Sequence, residues 1–256
     1  MKVLFIGDII GKPGRTRLIK YLPEVIEKEN IFFTIAQGEN LAGGIGITEE
    51  TAKKLFSCGV DCITTGNHVW KHKAVYKYLQ EETRLLRPAN YPEGTPGRGY
   101  FIYEKKGVKI GVLNLEGRIF MKPLENPFVV GKRIVEMIQQ ETPNIFVDFH
   151  AEATSEKRAL AFYLAGGVTA FIGTHTHVQT ADETIIDNRT AYITDVGMVG
   201  SADSIIGDKK EEIIQHFLFL LPQKFKIMKK DILANCVIVE FDENTGGAES
   251  IVRYNF

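Results

Sequence analysis

The segment AFIGTHTH (residues 170–177) joins an apolar run to two histidines one residue apart, and its reading decides the rest of the chain. Four earlier segments share its grammar. VLFIGD (3–8) ends in Asp8, FTIAQGEN (33–40) in Glu39 and Asn40, CITTGNH (62–68) in Asn67 and His68, and IFVDFH (145–150) in His150. Near-continuous apolar runs are strands covered on both faces. A polar residue at the C-terminal exit of such a strand points into the crevice where open α/β sheets bind ligands. Packing alone gives no reason for five exits to carry carboxylates, amides and imidazoles. The repetition predicts a site that holds two metal ions and catalyses hydrolysis.

The chain has 256 residues, enough for one large α/β core. No linker, charge block, low-complexity tract or repeat divides it, so residues 1–256 read as a single domain. A formal net charge of −1 gives no footprint for duplex nucleic acid or for a membrane surface, although a local basic pocket for phosphate stays open. Asp8 interrupts the apolar N-terminus MKVLFIGDII, and no small-residue cleavage site follows, so this segment reads as a first strand. No apolar run reaches the roughly 18 residues of a membrane span. Cys58, Cys62 and Cys236 lack disulfide or metal spacing. Cys58 and Cys62 read as small buried hydrophobes. The expectation is a cytoplasmic protein, with a homo-oligomer left open.

Along the chain, the pattern predicts a strand at 2–7, a helix at 15–29 after the turn GKPGR, and a strand at 31–36. The glycine-rich loop GENLAGGIG (38–46) leads to a helix from Thr48, where TEET resembles a capping box weakened by Thr51 in the place of Glu. A third strand lies within GVDCITTGNH, and a helical patch covers about 71–80. Residues 99–104 and 107–114 alternate around KKG as a hairpin. A helix at 128–140, a strand at 144–149, a helix at 155–165 and a strand at 168–172 follow. RTAYITDV (189–196) and the stretch from ANCVIVEFD to VRYNF add strands that are antiparallel in part. The fold class expected is α/β, a layered sandwich with mixed sheets.

Each candidate ligand has a plainer alternative. Asp8 caps a turn as readily as it binds a metal. Glu39 is more telling, because a buried glutamate at a strand exit needs a cation, and one carboxylate can bridge two metals about 3.5–4 Å apart. Asn67 offers a neutral carbonyl oxygen, or serves as a left-handed turn residue after Gly66. His150, His175 and His177 are the strongest candidates. The alternation in HTH puts both imidazoles on one side only if the backbone stays extended. His68, adjacent to Asn67, reads as a proton donor near neutrality, with a further metal ligand or a hydrogen-bonding scaffold as the alternative. His72 and His216 read as solvated. Asp148 and Asp195 read as partners for the far nitrogens of ligating imidazoles, or as turn and salt-bridge residues. A donor set of oxygen and nitrogen without thiolate suits iron, manganese or zinc.

The ordered motifs GD (7–8), GEN (38–40), GNH (66–68), DFHAEATSEK (148–157) and GTHTHVQTAD (173–182) resemble the calcineurin-like metallophosphoesterase superfamily. Within it the chain resembles the bacterial YmdB-like family, described as 2′,3′-cyclic-nucleotide 2′-phosphodiesterases. The likeness extends through AYITDVGMVG (191–200) and DSIIG (203–207). It implies an α/β/β/α sandwich and two divalent or trivalent ions, with iron first and manganese or zinc as alternatives. Asp8, Glu39, Asn40 and His177 would hold one ion, and Glu39, Asn67, His150 and His175 the other. The superfamily's first motif reads Asp-x-His, but Ile10 stands at its third position here, and the resemblance implies that Asn40 replaces that imidazole. Val69 follows GNH where an acidic residue often orients the histidine, which leaves the orientation of His68 open.

The implied substrate is a nucleotide phosphodiester. The resemblance implies that two cations would activate a water for in-line attack on phosphorus, and that His68 would protonate the departing oxygen. Two other readings stay open, a broad phosphatase or phosphodiesterase and a nucleotide-binding regulatory protein with weak residual activity.

Overall fold

The computed structural model describes residues 1–256. Strand β1 (Lys2–Ile6) and the short β2 (Asp8–Ile9) lead into helix α1 (Gly11–Lys28), followed by β3 (Phe33–Gln37), α2 (Glu49–Phe56) and β4 (Cys62–Thr64). A 3-10 turn at Val69–Lys71 and helix α3 (Val75–Glu81) come next. The hairpin of β5 (Tyr100–Lys105) and β6 (Val108–Glu116) continues through α4 (Pro127–Gln139), β7 (Ile145–His150), α5 (Thr154–Leu164) and β8 (Ala170–Thr174). Short strands β9 (Thr184–Ile186), β10 (Thr190–Ile193) and β11 (Met198–Ser201) precede α6 (Lys210–Phe219). The last hairpin pairs β12 (Ile232–Phe241) with β13 (Ala248–Asn255).

These strands form two mixed sheets. The first has the order β2-β11-β12-β1-β3-β4, with β13 on β12; the second has the order β5-β6-β7-β8-β10-β9. β1 runs parallel to β3 and antiparallel to β12. β6, β7, β8 and β10 form a parallel block, with antiparallel strands at its edges.

The alternation of side chains explains the layering. In β1, Val3 and Phe5 face the second sheet and pack with Phe33, Ile35, Phe146 and Ile172. Leu4 and Ile6 face the other way, toward Leu18 and Leu22 of α1 and Leu55 of α2. In β7, Phe146 lies between the sheets, whereas Val147 and Phe149 pack with Ile134 of α4 and Leu160 of α5. Both faces of each sheet are therefore covered, giving the order helix, sheet, sheet, helix. Each such side chain contributes about 1.5–3 kcal/mol by leaving water.

The structure differs from the sequence expectation in a few elements. Helix α1 starts at Gly11 because GKPGR forms its first turn, where proline is tolerated. The cap of α2 is complete: Thr51 N–H donates to Thr48 Oγ1 and Thr48 N–H to Thr51 Oγ1, so the shorter hydroxyl does the work expected of Glu. β9, β11 and α6 were not foreseen. Cys58, Cys62 and Cys236 are free and buried. No helix is long and apolar enough to cross a membrane.

Candidate metal centre

The exits of β1, β3, β4, β7 and β8 bring Asp8, Glu39, Asn40, Asn67, His68, His150, His175 and His177 into one cluster. Glu39 is its centre and is almost fully buried. Its Oε1 lies 3.0 Å from His68 Nδ1 and 3.2 Å from His150 Nε2, and its Oε2 accepts the His68 N–H at 3.0 Å. Two groups of side chains flank it. On one side, Asn40 Nδ2 is 3.3 Å from His177 Nε2, which is 3.6 Å from Asp8 Oδ1. On the other, His150 Nε2 is 3.1 Å from Asn67 Oδ1 and 3.0 Å from His175 Nδ1. Donor atoms of Glu39, His150 and His175 all lie within 4.8 Å of one another.

The donors fit cations. Asp8 Oδ1 is buried with His177 Nε2 at 3.6 Å and no partner at hydrogen-bond distance, a state that costs a buried polar atom about 1–3 kcal/mol. A cation removes that cost. His150 Nε2 and His175 Nδ1 meet at 3.0 Å inside the cluster, and both can ligate once the proton held by His150 is displaced.

The charges are interlocked. Burial favours protonated Glu39, but the charge and hydrogen bond of His150, with those of His68, override it and hold its carboxyl well below the ordinary range. Burial likewise opposes protonation of His150 and His177. Glu39 overrides it for His150 and Asp8 for His177, raising each pKa to about 9. His175 moves the other way, down to about 3, through burial and the neighbouring charge of His150.

The backbone that delivers these groups is not extended throughout. His175 has φ +100° and His177 φ +65°, so the HTH segment converges through two left-handed residues rather than strand alternation. Such conformations cost a non-glycine residue about 1–3 kcal/mol each and persist where the surroundings fix them. Three bonds fix them here. His175 N–H donates to Asp8 Oδ2, Thr176 N–H to Asp195 Oδ2, and His177 Nδ1 lies 2.9 Å from the Ile206 carbonyl. Gly66 is required for a different reason, because a Cβ there would stand 2.1 Å from the His150 ring.

Asp148 and Asp195 touch no imidazole directly, and of the two readings the sequence left open Asp195 takes that of a salt-bridge residue. Asp148 accepts from Thr174 Oγ1 at 2.8 Å, and that hydroxyl lies 3.0 Å from His150 Nδ1. Burial raises the Asp148 pKa to about 7. Asp195 is paired with buried Lys157 at 2.7 Å and pins the peptide between the two histidines. Gln37, Glu152 and Glu116 were missed. Gln37 Nε2 is 3.0 Å from His150 Nδ1, and Glu152 Oε2 is 3.1 Å from His175 Nε2. Glu116 is paired with His150 in register and accepts from Tyr91, and burial raises its pKa to about 7. A carboxylate ending an apolar run, LNLE, was the available signal for Glu116. The orientation of His68 now has a source: Asn40 Oδ1 at 2.8 Å and Glu39 face its Nδ1. His72 and His216 are half-buried and reach the carbonyls of Ile45 and Leu221, rather than being free in solvent.

A phosphatase structure from Mycoplasma pneumoniae superposes with a TM-score of 0.94 at 34% identity, covering 100% of this chain and 93% of that one. A hypothetical protein from Thermus thermophilus superposes with a TM-score of 0.93 at 40% identity, covering 100% and 99%. The paired mixed sheets with donors at the strand exits are a metallophosphoesterase-type fold. More narrowly, the chain belongs to the YmdB-like family, whose model matches residues 4–254. It is 45% identical over 253 residues to a 2′,3′-cyclic-nucleotide 2′-phosphodiesterase of Bacillus subtilis, covering 99% of this chain and 96% of that protein.

Proposed function

We propose that the protein is a metal-dependent phosphodiesterase that opens 2′,3′-cyclic nucleotides to 3′-phosphates. The observation that carries this reading is Glu39, a buried carboxylate standing between two groups of metal-competent donors. Asp8, Asn40 and His177 with Glu39 would hold one ion, and Asn67, His150 and His175 with Glu39 the other. Bound there, two cations supply an activated water and neutralise phosphate oxygens. The oxygen and nitrogen donors suit iron, manganese or zinc, with iron favoured by the family resemblance. The substrate is supported by the name and near-complete overlap of the Bacillus subtilis relative. Residues 1–256 act as one domain, because the core between the sheets draws Phe5 and Ile35 from one half and Phe146 and Ile172 from the other. A cytoplasmic location is supported by three free cysteines.

His68 is the proton donor in this reading. Its side chain is 36% exposed, against 21% for His175 and 12% for His177, so its outer ring edge can meet a leaving oxygen. Facing oxygens of Asn40 and Glu39 assign a proton to Nδ1 and turn Nε2 outward. In-line displacement puts the leaving oxygen opposite the attacking water. A donor within about 2.6–3.2 Å of that oxygen thus selects which ring bond breaks. One observation favours a second reading: His68 Nδ1 points at the same carboxylate the metals would share, so His68 could join the donor set.

Hydrolysis of 2′,3′-cyclic AMP in ¹⁸O-water tests the proposal. The expected product is the 3′-phosphate alone, with one label on phosphorus. A 2′-phosphate, a mixture of both, or no turnover by metal-loaded protein would overturn it.

A further inference from the structure

Helix α1 carries its charges in an order that works against it. Lys12, Arg15, Arg17 and Lys20 crowd its N-terminal half, its first turn holds no acid, and Glu24 and Glu27 come after them. The partial positive charge at a helix N-terminus favours carboxylates there and disfavours cations. Arg15 is occupied, because it donates to the Leu41 carbonyl. The other three are not.

Those three line one cavity. A hollow of about 390 Å³ is walled by Lys12, Arg17, Lys20 and Tyr21, on the side of α1 turned away from buried Leu18 and Leu22, and by Lys229 and Ile232 at the entry to β12. Its volume lies in the range of small-molecule sites, about 300–1,000 Å³. No carboxylate lines it, and none of its four cations belongs to an ion pair. The ion pair of α1 lies at the far end, Lys28 with Glu29 at 3.7 Å. Exposed Glu24, one turn beyond Lys20, and exposed Asp231, two residues past Lys229, pair with none of the four. Neighbouring lysines are matched, Lys210 with Asp203 at 2.6 Å and Lys226 with Glu212 at 3.3 Å. A second hollow beside Lys229 mixes Lys209 and Lys230 with Asp203 and Glu211. Of the two, only the cavity on α1 is free of acids.

Arg17 gives this cavity a fixed element. Its guanidinium carbon stands 4.3 Å from the centre of the Tyr21 ring, and Lys20 Nζ lies 4.8 Å from the same centre. Stacking on the ring restricts the plane of the guanidinium. Its Nε is buried and has no hydrogen-bond partner. The hydrogen bond and charge of Lys20, with the charge of Arg17, hold the Tyr21 phenol below its ordinary range against the opposing charge of Glu24.

Unpaired cations around a hollow are stabilised by an anion that meets several of them at once. A lone carboxylate matches one or two. A phosphate monoester carries about −1.5 to −2 charge and three acceptor oxygens, and it suits a guanidinium fork and ammonium groups together. We propose that this cavity binds consecutive phosphate groups, supplied by a nucleoside polyphosphate or by the backbone of a single-stranded oligonucleotide. None of the metal-competent donors lines it, so its occupancy is tested apart from the reaction assigned to Glu39 and its neighbours.

Calorimetric titration of the metal-loaded protein with inorganic trimetaphosphate, an anion that chelates metals weakly, is the test. Lys20→Gln with Lys229→Gln should raise the dissociation constant at least about tenfold. Both side chains are exposed, so the fold should be kept. Lys106→Gln with Lys132→Gln removes the same charge from the β5–β6 turn and α4, and should leave binding unchanged. Displacement of the probe by adenosine triphosphate or by a pentaribonucleotide, each in excess magnesium, then identifies the source of the phosphates. No binding by wild type, equal weakening in the two double variants, no weakening in the first, or displacement by neither competitor would overturn the proposal.

Discussion

The two flanks of Glu39 are built differently. His150, on the side of Asn67 and His175, is fully buried at the end of a central strand, and its far nitrogen meets Gln37 and the Thr174 hydroxyl. His177, on the side of Asp8 and Asn40, hangs from a left-handed loop residue and leans on one carbonyl of a surface segment. One flank is held by the sheet and the other by a loop. The difference teaches that a two-metal site need not be equally rigid at both positions, and that the loop-held position is where the surroundings can tune it.

The largest test removes what the flanks share. Glu39→Gln should lower metal content at both positions and reduce turnover by roughly 10³-fold, since several kcal/mol of charge stabilisation are lost. Elemental analysis showing one position unaffected would end the idea of a shared carboxylate. Next in size, His68→Ala should keep both ions and slow hydrolysis by about 10²-fold or more, with a smaller loss for a nitrophenyl ester whose leaving group needs no proton. Metal content falling in step with activity would make His68 a ligand instead.

A smaller change separates the flanks. Thr174→Val cuts the link from His150 to Asp148, and should weaken binding about 10–100-fold at that flank alone. Competitive titration with a chelator would resolve two affinities in wild type and move only one in the variant. Equal weakening of both would show that the flanks are not independent.

The pH dependence should be shared evenly. His150 and His177 have pKa values raised to about 9, so each carries a proton at neutral pH that a cation must displace. His175, lowered to about 3, carries none. Affinity should therefore rise as pH climbs toward about 9, by up to roughly tenfold per unit at each flank. Calorimetry in buffers of different ionisation enthalpy should count one proton released per ion. No proton release would show that these imidazoles are neutral before binding.

The sheet-held flank was also the more legible in the sequence. IFVDFH is buried at every position, so both the strand and the direction of its terminal histidine follow from local pattern. The HTH segment was harder, because its convergence rests on two positive φ values enforced by Asp8 and Asp195, which lie far away in sequence. Asp148 stands two residues before His150 on β7, but a hydroxyl inserts between the two side chains, and strand position cannot show such an intermediary. Gln37 looked like an ordinary strand residue until the second sheet brought His150 to it. Helix α6 escaped for another reason. FLFLL has no polar face to set a helical period, and its apolar residues do not pack into this chain's core.

The left-handed pair at His175 and His177 has an evolutionary consequence. Strain of about 1–3 kcal/mol at each position is tolerable only while selection maintains what the imidazoles do. In a lineage that abandoned this chemistry, glycine or asparagine would become the favoured residue at both places, because either relieves the backbone. His175→Gly should thus melt no lower than the parent when both are stripped of metal, while losing the thermal protection that metal gives the parent. Histidine retained at a position whose backbone prefers glycine is, in this fold, a mark of continuing use that can be read from a single chain.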